Sequence, residues 1–495
     1  MIRKMQITLF MMLFLICTVG FTQSKNAIEI GFEDTIHSKI LDQDRPIQIC
    51  LPDDYESSSK RYPIMILCDG QWNFVHTAGI VGFVSGNGVA PKMILVGIVH
   101  ANRDDDLVPA TVETDNYSGK ASKFLDFLGK ELIPYIENKY RTQPFHILAG
   151  ISYGGLFTHY AMITQPDLFN AYIAADPSLW WDNQKVIRDS EAYFKSIETF
   201  DKTLYFTQSE IPQMGGDVFA RMLQRSSPPG LKWNFNHMYL ETHGSITHRS
   251  FYDGLEFIFS EWSEDPVRIE PQGNIFMEGD TLVVFMRHPD VEKIYYTVDG
   301  SEPDQKSLVY QHPFKVAQPC QLKTRAYFGH GIWGDVATKT YEYAVLQPAD
   351  RGVKNLKKGL AYQVFEGEWD ELPDFDKMKS TTSGVADSID VAVTTLQDQF
   401  GIRFDGFVDI PETAIYTFYL GSDDGSRLFI DQQPLIDNDG LHGEIEKAKQ
   451  IYLEKGMHRV KVDFFEKGGG EMVNLTYEKS GKKRMQLPAG DLYHQ

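Results

Sequence analysis

Four cysteines in 495 residues are too few to hold this chain together by disulfides. Cys17 lies in the amino-terminal segment, and Cys50, Cys68 and Cys320 stand far apart as an odd set, so no disulfide framework is expected. Cys50 and Cys68 sit in apolar runs and read as small buried hydrophobes. Positive charge is also scarce. Lys and Arg number 48 against 68 Asp and Glu, for a formal charge of −20, and no basic aromatic stripe offsets it. That balance speaks against nucleic acid as a partner, favours solubility, and says little about a neutral sugar. Past residue 24 no apolar run is long enough to cross a membrane. No internal repeat is visible, and helical periodicity is scarce after Trp262.

Residues 1–24 have the pattern of a secretory signal: Arg3 and Lys4, an apolar run from Ile7 to Val19, and Thr22-Gln23-Ser24 before cleavage. Export to the periplasm, the cell surface or the exterior follows as an expectation. Ile16 before Cys17 is bulkier than a lipid-attachment signal normally tolerates.

A chain of this length is expected to divide into two to four domains. Residues 25–265 alternate strands and helices. Strand candidates are Arg45 to Leu51, Tyr62 to Cys68, Met93 to Val99, His146 to Ala149, Ala171 to Ala175 and Thr203 to Thr207. Phe124, Phe127, Leu128, Leu132, Ile133 and Ile136 recur at helical spacing, and Leu255 to Phe259 suits a closing helix. This alternation favours a mostly parallel sheet covered on both faces. Residues 266–346 and 350–495 instead hold short β runs separated by turns rich in Asp and Gly. The fold class is therefore multidomain: an α/β unit followed by two all-β modules.

The most informative stretch joins the apolar run Ile147-Leu148-Ala149 to Gly150-Ile151-Ser152-Tyr153-Gly154 and then to a segment able to start a helix. Strand, Gly-x-Ser-x-Gly and helix together form the setting of a nucleophile elbow, with Ser152 raised above the sheet. A serine hydroxyl needs a base, and the base needs a carboxylate to hold its tautomer. His243 leads as base, with His248 as competitor, and His237 reads as structural. For the acid, Glu210 after the Thr203–Thr207 run leads narrowly, Asp176 is the alternative, and Asp217 lies further along. The amide of Tyr153 is one expected oxyanion donor, and Gly70 or Gln71 supplies the other. Trp180 and Trp181 stand at the sheet's carboxyl edge, where they wall a pocket or pack in the core.

Residues of about 30–262 resemble the esterase family of the α/β-hydrolase superfamily that groups enterochelin-esterase-like proteins with carbohydrate (feruloyl and acetyl) esterases. The resemblance rests on Arg45-Pro46-Ile47-Gln48-Ile49-Cys50-Leu51-Pro52, Cys68-Asp69-Gly70, Val96-Gly97-Ile98 leading to Arg103-Asp104, and Glu131-Leu132-Ile133-Pro134-Tyr135-Ile136. It continues through the Ser152 elbow, Pro177-Ser178-Leu179-Trp180-Trp181-Asp182 and His243-Gly244-Ser245. It implies Ser152 as nucleophile, His243 as base and an acid near Glu210; Trp180, Trp181 and Arg103 are the candidate substrate contacts. Many relatives carry Ser where this chain has Asp176, and a smaller residue at Tyr153.

The middle region resembles a chitobiase/hexosaminidase C-terminal type of β-sandwich through Ile294-Tyr295-Tyr296-Thr297-Val298-Asp299-Gly300-Ser301-Glu302-Pro303. The last region resembles a PA14 domain through Gly421-Ser422-Asp423-Asp424-Gly425-Ser426 and Phe464-Phe465-Glu466. Some members of that family bind glycans, in certain cases through calcium held by paired aspartates, here Asp423 and Asp424; the alternative is that Asp423-Asp424-Gly425 only shapes a tight turn. Catalysis itself needs no cofactor. The expected activity is removal of feruloyl or acetyl groups from a polysaccharide or oligosaccharide. The alternatives are a siderophore trilactone esterase and, in a different class, a glycan-binding protein with an inert hydrolase domain.

Overall fold

A computed structural model describes residues 29–109, 119–289, 291, 293–480 and 482–495. The expected signal segment lies outside them. Among the described residues no helix is long and apolar enough to cross a membrane, and Cys50, Cys68 and Cys320 are free thiols. Burial pushes the thiol of Cys68 well above its ordinary range.

The chain divides into two compact units, one running to Ser263 with His330–Ile332 and the other holding the remainder. The first is built on a sheet of eight strands: β1 (Phe32–Ser38), β2 (Gln43–Cys50), β3 (Tyr62–Leu67), β4 (Ile94–Ile98), β5 (Thr142–Ile151), β6 (Ala171–Ala175), β7 (Lys202–Gln208) and β8 (Leu231–His237). Their spatial order is β1-β2-β4-β3-β5-β6-β7-β8. The pairs β1–β2 and β2–β4 are antiparallel, and all others are parallel. This is the α/β-hydrolase arrangement.

Burial explains why the inner strands are apolar throughout. β3, β4 and β6 are covered on both faces at every residue, so Pro-Ile-Met-Ile-Leu and Ile-Leu-Val-Gly-Ile show no alternation. The helical run expected from Phe124 to Ile136 is present as Ala121–Phe127, a π-turn over Leu128–Leu132, and Ile133–Lys139. Phe124, Phe127, Leu128, Leu132, Ile133 and Ile136 all enter the main core. The closing helix, Ile246–Ile258, begins well before the expected segment.

The second unit is β apart from three short 3-10 turns among its described residues. Residues 268–343 form a five-stranded and a three-stranded sheet, and residues 346–494 form a five-stranded and an eight-stranded sheet. In the last pair of sheets alternate residues turn inward. Ile402 and Phe404 pair in register with Phe464 and Val462 and share a core with Tyr416, Phe418 and Leu420. That period of two is what a sandwich requires.

Candidate active site and carboxylate cluster

Ser152 stands between β5 and the helix Tyr153–Thr164 with φ 59° and ψ −117°. A non-glycine residue there is strained, at a cost of roughly 1–3 kcal/mol, and the surrounding contacts hold it. Its amide donates to the carbonyl of Ala175 at 3.0 Å, and its carbonyl accepts from the amides of Ser178 and Leu156 at 3.0 and 2.9 Å. The flanking glycines are required by space. A Cβ on Gly150 would lie 2.5 Å from the Gly154 carbonyl carbon, and one on Gly155 would lie 2.9 Å from Pro177. The elbow is thereby pressed onto the end of β6. The Oγ of Ser152 lies 3.2 Å from that of buried Ser178.

Asp176 follows β6 directly, fully buried and with φ 41°. Its Oδ2 accepts from His243 Nδ1 at 2.7 Å, and its Oδ1 accepts from the Ser209 amide at 2.9 Å. A carboxylate only accepts, so Nδ1 of His243 carries the proton and Nε2 is the nitrogen left to act as base. The acid beside His243 is thus Asp176. Glu210, the residue favoured from sequence, is exposed one residue beyond Ser209, and its amide is tied to the Glu241 carbonyl at 3.1 Å. The reason is adjacency: β6 borders β5 directly, whereas β7 lies one strand further from the elbow.

The other candidates are engaged elsewhere. His248 lies on the closing helix with its ring 5.6 Å from that of His76. His237 bonds the Ser209 carbonyl at 3.1 Å and stacks on Tyr239. Asp217 pairs with Arg221 at 2.7 Å.

Tyr153 opens the helix after the nucleophile and packs against Trp180 and Trp181, with centroids 6.3 and 5.7 Å away. Trp181 is buried, whereas Trp180 is 44% exposed, so only the latter presents a broad face to solvent. Gly70 and Gln71 open the helix Gly70–Gly86, whose first amides lack intrahelical acceptors by geometry. Gly70 presses on β4: a Cβ there would meet the Gly97 carbonyl carbon at 2.8 Å. The Gln71 side chain accepts from the His100 amide at 3.3 Å. Arg103, expected to touch substrate, turns inward. Its Nε donates to Asp69 and its Nη2 to the Ile151 carbonyl. Exposed Trp72, over which Arg103 lies at 5.9 Å, drew no notice in the sequence because it carries no motif.

In the second unit Asp423 and Asp424 come together with Glu466, ligand oxygens all within 4.8 Å of one another. Asp424 accepts from the amides of His442 and Lys467 at 3.0 and 3.1 Å. Glu466 is fully buried. One of its oxygens accepts from the Asp424 amide at 3.1 Å, and the other has no hydrogen-bond partner among the described residues. Burial, reinforced by Asp424 and Asp423, pushes the Glu466 carboxyl up to about 7. Burial likewise raises Asp423. The sequence marked Glu466 only as part of the PA14 resemblance and not as a partner of the aspartates; it lies 42 residues from Asp424 along the chain.

Residues 38–204 match the family model "Putative esterase", residues 287–341 match "Fn3 associated", and residues 356–489 match "PA14 domain". The "Siderophore enterobactin esterase" of Emericella nidulans is 35% identical over 89 residues, covering 17% of this chain and 28% of that protein. The "Siderophore triacetylfusarinine C esterase" of Aspergillus fumigatus is 32% identical over 96 residues, covering 19% and 33%. The chain therefore spans about a third of the length of these curated relatives. A solved IroE-like serine hydrolase from Shewanella oneidensis is 32% identical, with a TM-score of 0.45, covering 48% of this chain and 82% of that one. The esterase likeness thus falls on the segment that supplies Ser152 and Asp176, with a PA14 domain following in the second unit.

Proposed function

We propose that the first unit is a serine carboxylic-ester hydrolase, and the observation that carries this is the strained Ser152 elbow bonded to Ala175 and Ser178, the segment that also holds Asp176 and, through it, His243. Ser152 attacks the ester carbonyl while His243 Nε2 takes its proton, and Asp176 holds the ring and stabilises the imidazolium. The Tyr153 amide and the Gly70 or Gln71 amide receive the oxyanion, each donor contributing about 3–4 kcal/mol in the transition state. His243 then protonates the leaving alcohol, and water attacks the acyl-enzyme to release the acid and restore Ser152.

The substrate class best supported is a siderophore ester of the trilactone kind, since the curated relatives from Emericella nidulans and Aspergillus fumigatus are siderophore esterases. This reading takes precedence over the feruloyl or acetyl polysaccharide ester expected from the sequence, which rests on the appended β modules alone. Steady-state rates on a cyclic trilactone siderophore and on feruloylated and acetylated oligosaccharides test it. The trilactone is expected to show the highest kcat/KM, by at least about tenfold, the factor of one lost good contact. Faster turnover of the sugar esters would reverse the assignment. The amino-terminal pattern supports an exported protein.

For the last module we read the Asp423, Asp424 and Glu466 cluster as a calcium site that organises a glycan-binding face. Three clustered carboxylates, one with an unpartnered buried oxygen, suit a hard divalent cation. The sign of the pH effect follows from Glu466. Its folded value of about 7 exceeds the ordinary 4.5, so its stabilising contribution is complete below about pH 4.5 and disappears as pH rises through about 7. In chelator the module is expected to melt at lower temperature near pH 7.5 than near pH 5. Millimolar calcium should restore several degrees at the higher pH and little at the lower, because binding requires ionised ligands. Calorimetric scans with and without calcium measure this, and an unchanged melting temperature at both pH values would refute the site.

A further inference from the structure

The short helix Arg103–Leu107 is anchored by buried charge. Asp106 accepts from both terminal guanidinium nitrogens of Arg45 at 2.8 and 3.2 Å and pairs with His100 Nδ1 at 2.8 Å. Arg45 is fully buried on β2, and its Nη1 also reaches the Val99 carbonyl at 3.3 Å. This network fastens the helix to the sheet and so fixes where Arg103 starts.

From there Arg103 reaches two different backbone segments. Its Nε donates to Asp69 Oδ1 at 2.7 Å, and its Nη2 donates to the Ile151 carbonyl at 3.2 Å. Asp69 precedes Gly70, and Ile151 precedes Ser152. Asp69 is fully buried in a left-handed conformation, φ 59°. Its other oxygen has no hydrogen-bond partner among the described residues and lies 3.4 Å from where a Gly154 Cβ would stand. The rings of Tyr153 and Trp72 flank the guanidinium at 5.3 and 5.9 Å.

We infer that Arg103 is a positioning residue that sets the distance between the two oxyanion-donor segments, the Gly70–Gln71 amides on one side and the Tyr153 amide on the other. The inference rests on the serine-hydrolase reading. One planar fork bonds both segments at once, which a lysine ammonium on a flexible stem reproduces only in part. The charge that these amides receive develops only in the transition state. Loosening their spacing therefore lowers kcat and leaves ground-state binding alone.

The test uses the full chain carrying Arg103→Met or Arg103→Lys, with the best ester of the substrate panel. A boronic acid that forms a tetrahedral adduct with the nucleophile is the second probe. Arg103→Met is expected to lower kcat by on the order of 100-fold, the effect of one misplaced oxyanion donor. KM should stay within about twofold, and boronate affinity should fall in step with kcat. Arg103→Lys should recover part of the loss. If Arg103→Met does not fold, Arg103→Lys, which keeps the buried carboxylate paired, carries the same split between kcat and KM. Combining Asp69→Asn with Arg103→Met removes the unpaired buried charge, and kcat is expected to remain low. A return to wild-type kcat in that double variant would reduce Arg103 to a counter-ion and overturn the inference. A rise in KM at unchanged kcat would make it a substrate contact, with the same consequence. A wild-type protein inert toward every ester would instead remove the hydrolase reading, and this inference with it.

Discussion

Ser152→Ala is expected to lower ester turnover by on the order of 10⁶, because a nucleophile, base and acid that act as one unit lose nearly all their effect when one member is removed. The structure gives the reason in this chain. His243 is engaged through Nδ1 by Asp176, which leaves Nε2 as the ring nitrogen able to accept a proton. Ser178, whose Oγ lies 3.2 Å from that of Ser152, is buried behind the elbow and offers no substitute. The substitution should leave the fold intact, since the φ of Ser152 is held by backbone bonds rather than by its hydroxyl. Stopped-flow and steady-state assays on the best ester measure the effect. An unchanged rate would remove the enzymatic reading and leave the glycan-binding alternative. That alternative gains support if the chain binds glycan while hydrolysing no ester.

Asp176→Asn is expected to lower kcat by about 10⁴, since an amide opposite Nδ1 allows the wrong imidazole tautomer while leaving the geometry in place. Glu210→Gln should stay within about twofold of wild type. The contrast separates the two carboxylates that the sequence could not. Asp176 has one oxygen on His243 and the other on the Ser209 amide, with no exposure to water. Glu210 is exposed, and an exposed carboxylate exerts little hold on an imidazole. Equal losses from the two substitutions, read as kcat over a range of pH, would count against the assignment.

Much of the first unit was legible because burial on both faces leaves a mark that neighbours in the chain reveal. β3, β4 and β6 are unbroken apolar runs, and each was found to within a residue or two. β5 was found only from His146 onward, although Thr142 already pairs with Tyr62 of β3 ahead of a break in register. β1 passed unnoticed: as an edge strand it carries Glu33, Asp34 and His37 and little apolar pattern. The left-handed residues Asp182, Asn183 and Gln184 near the start of the Trp181–Ser196 helix were not read from the sequence, although Asp and Asn are the side chains most tolerant of that conformation. In the last module Asp423 and Asp424 were legible as a pair, whereas Glu466 entered only through the pairing of distant strands.

The sequence by itself determined the order of the modules and the elbow at Ser152, because each depends on residues adjacent in the chain, and it left His248 open beside His243. Only the tertiary structure decided that Asp176 rather than Glu210 lies on that histidine, that Arg103 turns inward, and that Glu466 joins the aspartates. The physical reason is common to all three. A carboxylate or guanidinium selects its partner by distance and burial across strands, and neither quantity is encoded in local spacing.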